Sequence, residues 1–475
     1  MEEINEYERA RLENIRQNQE LLRELELKSI IPKYERQKTP KINKKPPKKS
    51  KEPTTPVRQS LRLRGIQADS EAAKRKHEQD AQAEAEVEQK RARKEGILSL
   101  NDAADSDEED NSARFARLLE ELSRTSGKSV DEMRKNLSRG TEELRKEMGD
   151  LKISDDIPMV TSERIYCAAF HPSPDKWLAV AGDKVGTLGF WDVHAINEGE
   201  KTFTYKPHTR TISSMAFSPS DSTKLYTASY DSSVRCLDMV KQVFTEAYIG
   251  EDSTLYSSID LDPTGNLVYF SDNDGRLSLR DLRSPMSSTM TYQLHEKKIG
   301  CINVNSLQPH LLVTSSLDRT MRLWDLRGGS NKDEGPLEIG QFEHGKSVTS
   351  AYFSPNGQRI VSTSYDDRIR VFSGFTAPDY KLDDRVRISH NNQTGRWLTM
   401  FRARWSTNPI SSERPYFCVG NMKRYIDIFD GTTGDLLVSL NGGLTAVPAV
   451  NTFHPATDKV VVLGANASGR MCVFS

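Results

Sequence analysis

Cysteine is scarce in this chain: five in 475 residues, Cys167, Cys236, Cys301, Cys418 and Cys472. No two form a CxxC pair, so no zinc ligand set or disulfide frame can be built from their spacing. They fall in apolar, strand-prone runs and read as buried reduced thiols of a cytosolic or nuclear protein. Long apolar runs are missing too. No stretch approaches the roughly 18–20 residues a membrane helix needs, and no membrane partner is expected. The opening residues, MEEINEYERARLENIRQ, are charged where a secretory leader would be apolar. Asn136-Leu-Ser, Asn392-Gln-Thr and Asn466-Ala-Ser fit the glycosylation pattern, which carries no weight without secretion. An excess of either charge is also absent: 67 Lys and Arg oppose 68 Asp and Glu, net −1. Attraction to a polyanion must therefore come from local charge.

What is present is a repeat. Leu311–Arg327 reads LLVTSSLDRTMRLWDLR: an apolar strand, a tight turn holding Asp318, and an alternating strand ending in Trp324-Asp325. A lone hairpin is unstable in water, so its recurrence matters. Asp followed six residues later by a strand residue returns as Asp231/Leu237, Asp274/Arg280, Asp318/Trp324 and Asp366/Phe372. A small turn closing the preceding strand recurs more widely, at Phe170, Phe217, Leu261, Val304, Phe353, Trp405 and Phe453, spaced 43–52 residues apart. A period in the forties with Trp-Asp endings, as at Trp191-Asp192, is the WD40 signature. The expectation is an all-β, seven-bladed WD40 β-propeller over 155–475, each unit a four-stranded blade and the ring leaving few free sheet edges. The last unit ends without its fourth strand, and the segment near Ile157–Thr161 is expected to supply it.

Residues 1–154 form a charged extension, helical in parts and otherwise disordered. Ile4, Tyr7, Leu12, Ile15, Leu21, Leu22 and Leu25 mark an amphipathic helix, solvated or partner-docking. Lys38 to Lys51 holds seven lysines, three prolines and no acid. It reads as a disordered nuclear-targeting or nucleic-acid arm, or a basic linker. Nuclear localisation follows, with cytoplasm also open. Residues 71–95 are helix-prone but too polar to form a core. Residues 112–150 carry a stronger helical signal: Phe115, Leu118, Leu119 and Leu122, then Val130, Met133 and Leu137, mark two short helices around Ser126-Gly127 that could dock on the propeller or on another protein.

Gly340–Ser347 matches the phosphate-binding GxxxxGKS pattern literally. That loop must open a helix whose N–H groups hold the phosphates, whereas Val348–Phe353 reads as a strand, so nucleotide hydrolysis is not expected. His208, His295, His344 and His390 precede inner strands. His208/Asp231, His295/Asp318 and His344/Asp366 read as structural pairs, since no serine is placed to act as a nucleophile. No catalytic constellation, cofactor, metal spacing or small-molecule substrate is read here: the chain is expected not to be an enzyme.

The positive signal is positional. Arg164 and Lys298 stand six residues before their anchors, and Arg210 and Lys346 seven before theirs. Equivalent positions in repeats share one rim. The turns between middle strands open there too, adding Lys184, Arg319, Arg368 and Lys423-Arg424. Such a ring suits phosphates, though an ordinary soluble surface is also rich in charge. Between Phe372 and Trp405 an insert, Ser373–Arg404, holds Arg385, Arg387, Arg396, Trp397, Arg402 and Arg404. Trp397 is either a wedge between bases or a residue packed on blade 6.

HEKKIGCINVNSLQPHLLVTSSLDRTMRLWDLR, FSPNGQRIVSTSYDDRIRVFSGF and RYIDIFDGTTGDLL resemble the small subunit of the UV-damaged-DNA-binding complex. With SLRLRG and ERIYCAAFHPSPDKWLAVAGDKVGTLGFWD added, residues 58–475 more closely resemble the fungal DNA-damage-binding "changed mutation rate" family and its animal relative, WD repeat protein 76. The resemblance implies a nuclear protein binding single- and double-stranded DNA with a preference for UV lesions. It implies phosphate contacts at Arg164, Lys184 and Lys298. The related wedge, Phe-Gln-His, is replaced here by Gly395-Arg396-Trp397. The resemblance also implies docking on a cullin-4 ligase adaptor through Asp318, Trp324, Asp325 and Arg327, partly matched by Asp274, Asp281 and Arg283. The alternative function is a scaffold or substrate receptor of such a ligase, with histones or chromatin proteins as partners.

Overall fold

The computed structural model describes residues 93–104, 109–125, 141–196, 201–328, 335–375, 380–407 and 414–475. The amphipathic segment at 1–30, the lysine-rich arm and the expected helix at Val130–Leu137 lie outside these. Each repeat folds into consecutive antiparallel strands, and the sheets number seven. Blades 1 to 5 span residues 165–205, 212–249, 256–293, 299–343 and 348–389, followed by blade 6 at 404–440 and blade 7 at 450–474. Each blade's first strand lines the central channel. This is the seven-bladed propeller expected from the repeat.

The ring is held together by a bulge used five times. Pairing of the first two strands slips between Ile165 and Cys167, Ile212 and Ser214, Tyr256 and Ser258, Ile299 and Cys301, and Val348 and Ser350. The skipped residue leaves its own ladder, and in three blades its hydroxyl reaches the next one. Ser213 Oγ donates to Tyr256 O at 2.5 Å, Ser257 Oγ to Ile299 O at 2.5 Å, and Thr349 Oγ1 to Phe401 O at 3.0 Å. Small hydroxyl residues at these positions therefore stitch neighbouring blades together.

Blade 7 has three strands of its own, and the chain before blade 1 supplies the fourth. Lys152 and Ser475 exchange backbone bonds of 3.1 and 3.0 Å, Ser154 N donates to Val473 O at 2.7 Å, and Val160 N to Gly469 O at 2.8 Å. The latch thus begins before Ile157, at Lys152. Gly469 has φ +73°, and a Cβ there would collide with the Thr161 carbonyl, so the approach needs glycine.

Further upstream, the extension is part of the core. Leu98–Ser99 adds a fifth strand to blade 2 by pairing with Val243–Phe244. Helix α1 (Leu100–Ala103) follows, capped reciprocally by Ser99 and Asp102. Helix α2 (Glu109–Thr125) buries Phe115, Leu118, Leu119 and Leu122, the stripe read from sequence, against blades 1 and 2. Phe115 sits 4.6 Å from Phe190 and 5.0 Å from both Phe203 and Tyr205, centroid to centroid. Helix α3 (Thr141–Asp150), inside the stretch read as helical, seats Leu144 and Met148, which were not singled out in the sequence, on blades 6 and 7.

Two sequence readings are corrected. The insert Ser373–Arg404 is not one unit: Asp383–Ser389 is the outer strand of blade 5, and only the following stretch connects to blade 6. Arg385 and Arg387 lie on that outer strand, on Asp383 and Asp384. The pair His344/Asp366 does not form. Arg370 takes Asp366 at 2.7 Å, and His344 Nε2 turns to Ser362 Oγ at 2.9 Å. The phosphate-loop look-alike, as read from sequence, runs from strand Leu337–Glu343 through a turn into strand Val348–Phe353 and opens no helix.

Candidate nucleic-acid interface

The connections leading into each first strand and the turns between second and third strands lie on one face, here the upper face. Backbone bonds tie them together. Lys184 N donates to Arg164 O at 3.0 Å, Leu317 N to Lys298 O at 3.0 Å, and Tyr365 N to Ser347 O at 3.0 Å. Ser229 Oγ donates to Arg210 O at 3.1 Å and Ser364 Oγ to Lys346 O at 3.0 Å. Arg164, Lys184, Arg210, Lys298 and Lys346 therefore stand on one rim, drawn from four blades and the joints between them. Lys184 and Lys346 are exposed; the other three are half-buried.

Two of these cations are held by tyrosines that sequence reading missed. Lys298 Nζ donates to Tyr230 OH at 2.6 Å and lies 4.7 Å from that ring's centroid. Arg164 Nη2 donates to Tyr166 OH at 2.5 Å, with its guanidinium 4.8 Å from the ring centroid. The signal was present: Tyr230 directly precedes a turn aspartate, and Tyr166 stands two residues after Arg164. A phenol fixes a cation without neutralising it. Among the described residues, none of the five rim cations has a carboxylate within ion-pairing distance, whereas Arg319 on the same face is paired with Glu343 at 3.1 Å.

The connector from blade 5 to blade 6 crosses this face. It leaves blade 5 with Gln393 Nε2 on Tyr365 O at 2.6 Å. It reaches blade 1, where Arg164 Nη1 donates to Arg396 O at 2.7 Å and Thr399 Oγ1 to Ile165 O at 2.5 Å. It then returns to blade 5 and enters blade 6. Gly395, at φ +59° with open space around it, supplies the left-handed residue at the excursion's tip. Trp397, two residues on, is 79% exposed. A tryptophan this free is not packed on blade 6; it stands on the rim beside Arg396 and Arg164.

The residues expected to meet a ligase adaptor do not form one surface. Asp318 is a turn residue on the upper face, 2.8 Å from His295 Nδ1. His295 Nε2 is 2.6 Å from Thr314 Oγ1, which accepts from Trp324 Nε1 at 2.9 Å. This chain runs through the interior of blade 4, and Trp324 is buried. Burial raises the Asp318 carboxyl, but His295 and Thr320 outweigh it and hold the group well below the ordinary range. His208 and Asp231 make the equivalent contact at 3.0 Å in blade 2. Asp325 and Arg327 stand on the lower face as a two-pronged pair at 3.0 and 2.7 Å. Asp281 and Arg283 repeat it in blade 3 at 2.9 and 2.8 Å. Between the two blades lies a groove of about 530 Å³, walled by Leu267, Tyr269, Leu277, Met290 and Tyr292. Asp274 stays on the upper face.

Among the described residues, no cluster of His, Cys, Asp or Glu could hold a metal ion. The five cysteines are buried, and burial pushes the Cys167 and Cys236 thiols up to about 12. They are poor nucleophiles at neutral pH.

Comparison with known proteins agrees with this architecture. Residues 199–238, 286–325 and 338–373 match the family described as WD domain, G-beta repeat. The chain is 38% identical to the DNA damage-binding protein CMR1 of Phaeosphaeria nodorum over 516 residues, covering 99% of this chain and 98% of that protein. It is 38% identical to cmr1 of Aspergillus oryzae, covering 100% and 99%, and 36% identical to that of Neurospora crassa, covering 99% and 98%.

Proposed function

This chain belongs to the family of the fungal DNA damage-binding protein CMR1, and from that premise we propose that it binds damaged DNA through the upper face of its propeller, without catalysis. The observation that carries this is the set of unpaired cations: Arg164, Lys184, Arg210, Lys298 and Lys346 at one level, with Arg396 and Trp397 on the connector beside them. Neutralising phosphates with such a set releases counterions and supplies sequence-independent affinity. Trp397 adds a ring free to stack on an unpaired base. Damaged or single-stranded bases cost less to expose, so the same rim accounts for binding to both strand forms and for a preference for UV lesions. The family premise and the basic arm at Lys38–Lys51 support action in the nucleus, in DNA metabolism. Lys298→Glu should weaken DNA binding and flatten its salt slope by about one contact; a gel-shift titration with an unchanged slope counts against the rim.

The lower face supports a second reading. Twin pairs Asp281–Arg283 and Asp325–Arg327 flank an apolar groove, a geometry suited to a protein rather than a polyanion. We assign adaptor docking to Asp325 and Arg327 with Asp281 and Arg283, leaving Asp318 and Trp324 the task of holding blade 4. Chromatin proteins such as histones would then be presented from the upper face. Co-purification of a ligase adaptor that survives Asp281→Lys with Asp325→Lys removes this reading.

A further inference from the structure

The central channel is lined by each blade's first strand. Three residues before the anchor, most blades carry a small side chain there, such as Cys167, Ser258, Cys301 and Ser350; blade 6 carries Arg402. One residue before it, blade 6 carries Arg404. Two guanidiniums therefore enter a channel that the repeat otherwise lines mostly with smaller or neutral groups.

Arg402 and Arg404 share one cavity of about 10 Å³ with Tyr166, Met400 and Asn451. Among the described residues, neither side chain makes a hydrogen bond or an ion pair, and Arg402 Nε is sealed from solvent without a partner. Asn451 Oδ1 is likewise unpartnered. Arg404 rests 4.1 Å from the centroid of the Tyr352 ring. It feels Asp260, whose carboxylate is already bonded by Val304 N at 2.7 Å and Asn303 Nδ2 at 2.8 Å. Among the groups acting on Arg402 are Tyr352, Cys301, Cys167 and Tyr230, which are phenols and thiols rather than carboxylates. Arg164 approaches the same wall from the rim through its bond to Tyr166. Both arginines are half-buried, so part of each charge is withdrawn from water, and the nearby carboxylates are Asp260, already engaged, and Asp183, which acts with the two arginines on the Cys167 thiol.

We propose that the channel wall between blades 6 and 1 is a binding site for one phosphate group, an oxygen of which enters the cavity between Arg402 and Arg404. A space of this size admits one water-sized group, which fits a phosphate oxygen and not a whole phosphate. Guanidinium forks match phosphate oxygens in shape and charge. The phosphate comes from a DNA backbone or from a free phosphate compound. The site stands apart from the DNA reading, because its first test contains no DNA.

That test is thermal unfolding of the full chain in sodium pyrophosphate, sulfate and chloride at matched ionic strength. Wild type should show a saturable rise in melting temperature in pyrophosphate, exceeding those in sulfate and chloride. Arg402→Met should fold at least as stably and lose the increment, while Arg402→Lys keeps part of it. If Arg402→Met does not fold, Arg404→Met makes the same comparison. In a second arm, pyrophosphate is titrated against bound single-stranded DNA. Displacement assigns the site to the DNA backbone; an increment without displacement assigns it to a free phosphate compound. Equal melting temperatures in the three salts overturn the proposal, as does an increment that survives in Arg402→Met and Arg404→Met.

Discussion

The upper and lower faces both carry arginine, and Arg164 above is in the opposite state to Arg283 and Arg327 below. On the lower face Arg283 and Arg327 each close onto an aspartate two residues earlier, at 2.8 and 2.7 Å. On the upper face Arg164 and Lys298 are fixed by phenols and stay uncompensated. A cation already matched by a carboxylate must break that pair to meet a phosphate; one held by a tyrosine need not. Counting charges therefore says little about which face binds a polyanion, while the identity of each cation's neighbour says much.

The largest expected effect separates folding from binding. Phe115→Ala opens a cavity among Phe190, Phe203 and Tyr205 and should lower stability by about 3–5 kcal/mol, read by urea unfolding, with an unchanged salt slope for DNA at temperatures where it stays folded. For the same reason residues 93–475 should be far more stable than 155–475. Next, Trp397→Ala should cost about 1–3 kcal/mol of affinity for single-stranded or UV-damaged DNA and much less for undamaged duplex. Equal losses on both would make Trp397 a general contact and not a stacking ring. A smaller effect is acid sensitivity. Burial pushes His171 down to about 4 and His454 to about 3, against about 6.5 for an unperturbed histidine. The unfolded chain then takes up protons that the folded chain refuses, so stability should fall as pH drops from about 6.5 toward 4. The melting temperature should follow, and a flat profile over that range contradicts the assignment. The smallest effect probes the lower face itself. Asp325→Asn frees Arg327 from an exposed, solvent-screened pair and should raise non-specific DNA binding slightly, where removing an upper cation lowers it.

The ring, its repeat length and the level of its rim cations were legible in the sequence because repetition converts residue number into height on the disc. The latch was legible because an incomplete last repeat needs a strand from elsewhere. What escaped lies where the repeat is broken. Tyr166 and Tyr230 act through tertiary contacts that no period marks. Arg370 sits four residues after Asp366 and captures it, displacing His344 from a pairing that holds in blades 2 and 4. The connector's excursion to blade 1 depends on bonds between residues over 200 positions apart. The adaptor set failed as a single surface because its members span a strand, and a strand runs from one face to the other.

The most direct measurement is a gel-shift salt titration of the full chain, between about 50 and 200 mM, on UV-irradiated and undamaged duplex. Wild type is compared with an upper-face variant, Arg164→Glu with Lys298→Glu, and a lower-face variant, Arg283→Glu with Arg327→Glu. The upper-face variant should lose affinity on both DNAs, its log–log slope falling by about two contacts, while the lower-face variant keeps the wild-type slope. Equal losses from the two variants, or a wild-type slope in the upper-face variant, would contradict the assignment of the DNA-binding face.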